Sequence, residues 1–191
     1  MSVCSCHTAR VKRVATDPNV PHLLWSAGED GVILQHDLRT PHECSSSRSS
    51  KKQKNILIDL KCFTGSKAEA KCLAISPTQP ELMAVGANDP YVRLYDRRML
   101  KVSDDSNPLC PPPEAVQYFV PGHLPSKMIE YKRTFRSIAS TYVAFSPDGK
   151  ELLVNLGGEQ IYLFPLCPDL QKLPSSFTIP GVKTSVGEFD P

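Results

Sequence analysis

The sequence predicts an all-β protein built from about three copies of a four-stranded antiparallel unit. The clearest copy runs through 84–98, where a strand around Val85 leads into a turn at 88–90 and an aromatic, β-branched strand at 91–95. An Asp-x-Arg tripeptide closes this copy. A matching stretch lies earlier in the chain and a degraded one lies later, so the fold is expected to repeat this form.

The first copy spans 24–39 and aligns with the clearest copy without a gap. Every matched pair of residues lies 59 positions apart. The third copy spans 152–164 and lacks the closing tripeptide, because Pro165 stands where the Asp would be. The matched pairs are Asp30 with Asp89, His36 with Tyr95, Asp37 with Asp96, and Arg39 with Arg98.

Each copy is flanked by further strand signals. An apolar strand closed by a proline turn precedes it, at 11–18, 72–77 and 143–147. Short apolar runs that fit an outer fourth strand follow the copies, at 56–60, 115–120 and 176–179. The three units are therefore predicted to span about 7–60, 70–120 and 138–179.

Three polar inserts are expected to separate the strands, at about 40–54, 99–113 and 124–136. The first is rich in Ser and Lys and is expected to be a disordered loop. A localisation or phosphorylation role for its basic cluster is weighed against a solvated insert, and the solvated insert is favoured. The second insert carries three consecutive prolines and is expected to be exposed.

Composition favours one domain with an ordinary core. Apolar residues make up 40% of the 191 residues. The net charge of +2 gives no strong electrostatic attraction to nucleic acid or a membrane surface. The 18 prolines favour loops and strand ends over helices. No apolar run approaches the ~20 residues that a membrane-spanning helix needs.

Cysteine usage predicts reduced thiols. The seven cysteines are odd in number, and the sequence contains no Cys-x-x-Cys. Residues 1–15 are polar and basic rather than an apolar signal core, so the expected location is intracellular, both cytoplasmic and nuclear. A zinc site at Cys4, Cys6 and His7 is disfavoured because the spacing is wrong. No cofactor is expected.

The units resemble the WD repeats of a β-propeller. Cys6-His7 stands where that family has Gly-His, and Gly122-His123 keeps the dipeptide ahead of the third copy. The resemblance implies a hydrogen-bonded set of His, Ser or Thr, Asp and Trp within a blade. His36 takes the place of the Trp in the first blade. The residues assigned to this structural role are His7, Ser26, Asp30, Asp89 and His123.

The resemblance narrows to the WD and tetratricopeptide repeats protein 1 family over about residues 7–165. It is specific because it includes loop residues such as Gly-His-Leu-Pro at 122–125, which generic WD repeats do not share. Other matching stretches lie at 25–31 and 157–164. Members of that family carry further WD repeats upstream and tetratricopeptide repeats downstream, and neither is found in this sequence.

This resemblance implies a substrate receptor of a cullin-4 ubiquitin ligase that docks through the adaptor damage-specific DNA-binding protein 1. It points to two Asp-x-Arg endings as partner-binding residues: Asp37 and Arg39, and Asp96 and Arg98. An Asp at a strand end can orient the Arg, whose planar fork then bonds a partner's carboxylates or carbonyls. An Arg beside such an Asp is often only solvated, but two copies in register favour docking.

Other interpretations stay open. One is a chromatin-associated scaffold that contacts histones or deacetylases, which the family resemblance also implies. Another is a truncated chain without independent activity, or one that competes with a longer relative for the adaptor. An enzyme is disfavoured, because the sequence contains no Gly-x-Ser-x-Gly, phosphate loop or His-Glu-x-x-His.

The number of blades raises a packing question. Propellers close with four to eight blades, so three blades leave two outward faces. The alternating residues Val32 and Leu34, and likewise Val92 and Leu94, are expected to need neighbours that bury them. The sequence therefore predicts a partial propeller, as a fragment or short isoform, or one that self-associates.

Overall fold

The computed structural model describes residues 4–40, 55–103, 113–124, 127 and 138–166 of the chain. Several sequence predictions lie outside these residues: the Ser/Lys-rich stretch, the proline-rich stretch, most of the 124–136 connection and the outer strand at 176–179. Within the described part, the predicted all-β fold is confirmed. No helix in that part is long and apolar enough to cross a membrane.

The strands form three antiparallel sheets in chain order. The first sheet contains β1 (Val11–Thr16), β2 (Leu23–Gly28), β3 (Val32–Asp37) and β4 (Ile56–Asp59). The second contains β5 (Ala70–Ile75), β6 (Leu82–Ala87), β7 (Val92–Asp96) and β8 (Gln117–Phe119). The third contains β9 (Ala139–Phe145), β10 (Glu151–Gly157) and β11 (Ile161–Pro165).

The connection at 61–69 contains a short helix that the sequence pattern did not predict. This helix, α1, spans Lys61–Thr64, and its Thr64 side chain donates a hydrogen bond of 3.0 Å to the Leu60 carbonyl. Leu60 is fully buried and holds the helix against the first two sheets. The helix is too short for an apolar period to appear in the sequence.

The turn between β2 and β3 depends on Gly31. Its φ of +80° is a conformation that side chains disfavour. A Cβ atom at this position would also lie 2.7 Å from the carbonyl oxygen of Ala68. The Glu-Asp-Gly turn therefore needs glycine for two reasons, and it brings the second sheet close to the first.

The sheets stack face to face, and their first strands β1, β5 and β9 lie next to one another in that order. One core joins the first and second sheets, and another joins the second and third. Large members of the first core are Trp25, Ile33, Ile58, Leu73, Met83 and Tyr95. Large members of the second are Leu82, Leu94, Phe119, Leu124, Leu152 and Leu156.

The apolar residues that the sequence analysis expected to need neighbours are already buried in the structure. The third sheet covers Val92 and Leu94, so these residues belong to a closed core. Val32 and Leu34 are also buried, in a small cluster with Ile56 and the partly buried Cys6. Exposed apolar residues lie on β1, at Val11 and Val14, and on the outer face of the third sheet, at Tyr142, Leu153, Ile161 and Leu163.

Candidate partner-binding rim

The first Asp-x-Arg motif closes β3 in a compact loop. The Asp37 carboxylate accepts the backbone N–H of Arg39 at 3.0 Å and its Nε–H at 3.0 Å. Arg39 Nη2 donates to the second carboxylate oxygen at 2.7 Å. The guanidinium therefore lies side-on against its own Asp, while the Arg39 side chain stays 66% exposed.

The second motif closes β7 with the same geometry. Asp96 accepts the backbone N–H of Arg98 at 2.9 Å and its Nε–H at 3.0 Å. Arg98 Nη2 donates to the other carboxylate oxygen at 2.6 Å, and the Arg98 side chain is 72% exposed. The local sequence thus builds one arrangement twice, at equivalent ends of neighbouring sheets.

Each carboxylate holds its arginine in a fixed, charged state. The hydrogen bond from the Arg39 side chain lowers the pKa of Asp37 to about 2. The Arg98 side chain likewise lowers the pKa of Asp96, and both arginine pKa values are raised by their Asp partners. The side-on pairs use Nε and Nη2, so the Nη1 edge of each guanidinium is turned away from its Asp, and both arginine side chains are mostly exposed.

The lowered pKa of Asp37 gives a direct test of this geometry. At pH 3 the Asp37 carboxyl should remain mostly ionised, because its pKa of about 2 lies below that pH. In Arg39→Ala the pKa should rise toward the ordinary 3.8, because the side-chain bonds are lost while the backbone N–H bond of residue 39 remains, so a larger protonated fraction is expected at pH 3. Carboxyl-detected NMR measures both states.

The sign of the pH dependence follows from the same shift. Because the folded-state pKa is lowered, the contact is fully present above the ordinary carboxyl pKa and is lost as the pH falls toward 2. Arg98→Ala, which leaves the first motif intact, should not change the Asp37 titration. An Asp37 pKa that is the same with and without the Arg39 side chain would contradict the side-on contact.

The β1–β2 turn of the first sheet connects the two motifs. Leu38, the middle residue of the first motif, donates its backbone N–H to the His22 carbonyl in this turn at 2.8 Å. Arg97, the middle residue of the second motif, reaches the other end of the same turn, where its Nη2 donates to Asp17 Oδ2 at 2.9 Å. Both motifs are therefore attached to one loop.

Arg97 makes further contacts across the boundary between the first and second sheets. Its guanidinium carbon lies 4.3 Å above the Trp25 ring, and its Nη2 also donates to the Pro80 carbonyl. Asp17 is 1% exposed and uses its other oxygen to accept the Asn19 backbone N–H at 2.9 Å. We call the contacts of Arg97 with Asp17 and Trp25 the Arg97 bridge.

Sequence reasoning missed the Arg97 bridge. Arg97 aligns with Leu38, so the repeat itself gives no reason to assign a charged role to that position. Two signals were available: Trp25 is the only tryptophan in the chain, and Asp17 lies beside a proline in a turn. Neither signal identifies its partner without the stacking of the sheets.

The structural residues of the first blade form a connected set. His7 Nδ1 lies 3.0 Å from Asp30 Oδ1, and since a carboxylate only accepts, the imidazole donates here. Ser26 Oγ lies 2.7 Å from His7 Nε2 and 2.9 Å from His36 Nε2. His36 thus makes the contact that the resemblance assigns to a Trp, and the hydroxyl donates to one ring and accepts from the other.

The second blade replaces this set with a buried ion pair. Arg93 Nη1 donates to Asp89 Oδ1 at 3.1 Å, and its Nη2 donates to Oδ2 at 2.6 Å. Arg93 aligns with Leu34 of the first blade and has a side chain that is only 2% exposed. Asp89 therefore holds a cation rather than a histidine, a role that its place in the repeat did not indicate.

His123 lies beside the third sheet. Its Nε2 is 3.4 Å from the Tyr162 hydroxyl, and the two ring centroids are 6.0 Å apart. This contact joins the Gly-His dipeptide to β11.

The disfavoured zinc ligands have other contacts. His7 is engaged by Asp30 and Ser26, and Cys4 Sγ lies 3.9 Å from His36 Nδ1. In the portion of the chain that the structure describes, no three His, Cys, Asp or Glu side chains gather as a metal site would require.

No protein-family model matches the chain. Individual proteins do match it. It is 43% identical over 198 residues to WD and tetratricopeptide repeats protein 1 of Homo sapiens, covering 95% of this chain and 27% of that protein. The Mus musculus counterpart is 44% identical over 190 residues, covering 91% of this chain and 26% of that protein. The resemblance stated from the sequence is confirmed.

A third relative is named differently from the first two. DDB1- and CUL4-associated factor 6 of Homo sapiens is 33% identical over 161 residues, covering 84% of this chain and 17% of that protein. The chain spans about a quarter of the length of the first relatives it matches. With WD-repeat relatives and sheets stacked in chain order, the fold is a partial WD-repeat propeller, as predicted.

Proposed function

We propose a function for this chain on the premise that it belongs to the WD and tetratricopeptide repeats protein 1 family, over the part of that protein that it matches. The chain is a non-enzymatic protein-interaction module. It serves in a substrate receptor of a cullin-4 ubiquitin ligase and docks the adaptor damage-specific DNA-binding protein 1. The docking residues are Arg39 and Arg98, each oriented by its own Asp.

One observation carries the proposal: two exposed arginines in neighbouring sheets are held in the same side-on geometry by Asp37 and Asp96. A guanidinium that is already oriented loses less conformational freedom when a partner binds. Its outward edge can donate to a carboxylate or to backbone carbonyls of the adaptor. Two such points define an orientation as well as an affinity.

The name of one relative supports the same partner. One of them is named as a factor associated with DDB1 and CUL4, and its similarity to this chain spans 84% of the chain. That likeness and the paired geometry of the motifs together support the proposal that this chain docks these ligase subunits.

The proposal is tested by titrating purified chain with the purified adaptor in a calorimeter. We expect the wild type to bind and the Arg39→Ala/Arg98→Ala variant to bind far more weakly. Loss of an interfacial arginine that pairs with a partner typically costs about 2–5 kcal/mol. Each single variant should show an intermediate affinity, because each removes one of the two contacts.

Arg10→Ala/Lys67→Ala is the matched control, because both cations are exposed and lie beside the β2–β3 and β6–β7 turns, at the strand ends opposite to the motifs. Its affinity should stay within about twofold of the wild type, since exposed charges contribute little. If the double arginine variant bound as tightly as this control, the assignment of the motifs would be wrong. Affinity purification from cells that recovers histones without adaptor or cullin would favour the chromatin scaffold instead.

A further inference from the structure

We propose that Arg97 is a positioning residue that fixes the second motif relative to the first, so that Arg39 and Arg98 form one two-point docking surface. This inference rests on the proposed function for its partner, but the geometry behind it concerns this chain alone. Arg97 lies between Asp96 and Arg98 in sequence, yet its side chain points into the boundary between the first and second sheets, where it is 15% exposed.

Arg97 contacts two residues of the first sheet. Its guanidinium donates to a buried carboxylate on the β1–β2 turn and stacks on the fully buried Trp25 of β2. Both contacts are with the first sheet, whereas Arg97 itself follows β7 of the second sheet. An arginine can make them together, because its fork bonds a carboxylate while its flat face covers an aromatic ring.

Each motif is also bonded to the turn between the first two strands of its own sheet. The first motif is attached to this turn by the Leu38 N–H bond to His22, and the second motif makes the corresponding bond from Arg97 to Glu81 within its own sheet. Each motif is thus fixed to its own sheet in the same way. The Arg97 bridge is the added contact that fixes one motif to the other sheet's turn.

The middle residues of the two motifs differ in burial and in charge. Leu38 occupies the equivalent position in the first motif and is 65% exposed. A middle residue is therefore not required to be buried or charged for the Asp–Arg pair to form. Arg97→Leu should leave the Asp96–Arg98 pair intact while it removes the contact across the sheets.

The distance between the motifs tests this directly. Spin labels carried by unnatural amino acids at Leu38 and Met99, which are both exposed, report the separation by pulsed electron resonance. We expect a narrow distribution in the wild type and a broader or shifted one in Arg97→Leu. Arg98→Leu, a matched change at the neighbouring exposed arginine, should keep the narrow distribution. An unchanged distribution in Arg97→Leu would overturn the inference.

Adaptor affinity supplies the second measurement. Arg97→Leu should weaken binding by about tenfold, a factor typical of coupled neighbours. In the Arg39→Ala background, where only one motif can bind, the same change should weaken binding by less than about twofold. An equal factor in both backgrounds would mean that Arg97 only supports its own motif, and would overturn the inference.

Two further results distinguish a failure of this inference from a folding defect and from a failure of the proposed function. Arg97→Lys retains the charge but loses the fork and the flat face, so it should fall between the wild type and Arg97→Leu in both measurements. It also serves if Arg97→Leu fails to fold. A wild-type chain that does not bind the adaptor would contradict the proposed function, and the distance distribution would then decide alone whether Arg97 fixes the motifs.

Discussion

Asp89→Ala should lower the free energy of unfolding by about 3 kcal/mol, the lower end of what breaking a buried ion pair costs. The change leaves the Arg93 guanidinium buried with the Tyr91 carbonyl, at 3.2 Å, as its remaining described acceptor. We expect the lower end of the range because the Asp89 side chain is itself 19% exposed, so water already screens part of the pair.

Urea unfolding followed by the fluorescence of Trp25 measures this effect, because this single tryptophan is buried where the first and second sheets meet. Asp148→Ala is the control: it removes an exposed carboxylate from a turn in the third sheet and should change the stability far less than Asp89→Ala does.

A compensating variant separates the ion pair from simple packing. Leu34 occupies the position in the first blade that Arg93 occupies in the second. Asp89→Ala/Arg93→Leu should therefore recover much of the lost stability, since apolar residues often replace a buried pair without loss. If Asp89→Ala alone stays within about 0.5 kcal/mol of the wild type, the pair has no structural importance.

Trp25→Ala should lower the free energy of unfolding by about 3–5 kcal/mol, as large-to-small changes of buried aromatic residues do. The ring is fully buried between the sheets, its Nε1 donates to Gln35 Oε1 at 3.0 Å, and Arg97 covers one face. Removing the ring leaves a cavity and takes away the Trp25 contact of the Arg97 bridge. Circular dichroism follows the unfolding, because this variant has no tryptophan.

Trp25→Phe is the matched variant. It keeps an aromatic face for Arg97 but loses the bond to Gln35 and some volume, so it should cost clearly less than the alanine change. Equal losses for the two variants would mean that the Gln35 bond matters more than the packing of the ring.

The sequence predicted the strands and the two motifs because their signals are local. A proline turn, an Asp-Gly turn and a β-branched run each act over a few residues, and the ungapped register between 24–39 and 84–98 lets one copy support the other. The side-on contact of Arg39 with Asp37 is local as well, since it spans two residues. The geometry of each Asp-x-Arg motif could therefore be predicted from the residues that end a single strand.

The contacts between sheets could not be predicted in the same way. Arg97 and Asp17 are 80 residues apart, and only the stacking of the sheets makes them neighbours. The Arg93–Asp89 pair lies within one hairpin, but the burial of Arg93 depends on the residues that pack around that hairpin. The His36 bond to Ser26 joins neighbouring strands, but the contact of His7 with the same hydroxyl required the N-terminal segment to lie beside it.

The outer face of the third sheet has a consequence for every stability measurement on this chain. Leu153, Ile161 and Leu163 lie on it with 40%, 65% and 56% of their surface exposed. Any apolar surface that covers this face binds the folded state and not the unfolded one. By mass action, the folded population then grows with the concentration of that surface. The melting temperature of this chain is therefore a property of the solution as well as of the molecule, and mutants must be compared at one fixed protein concentration.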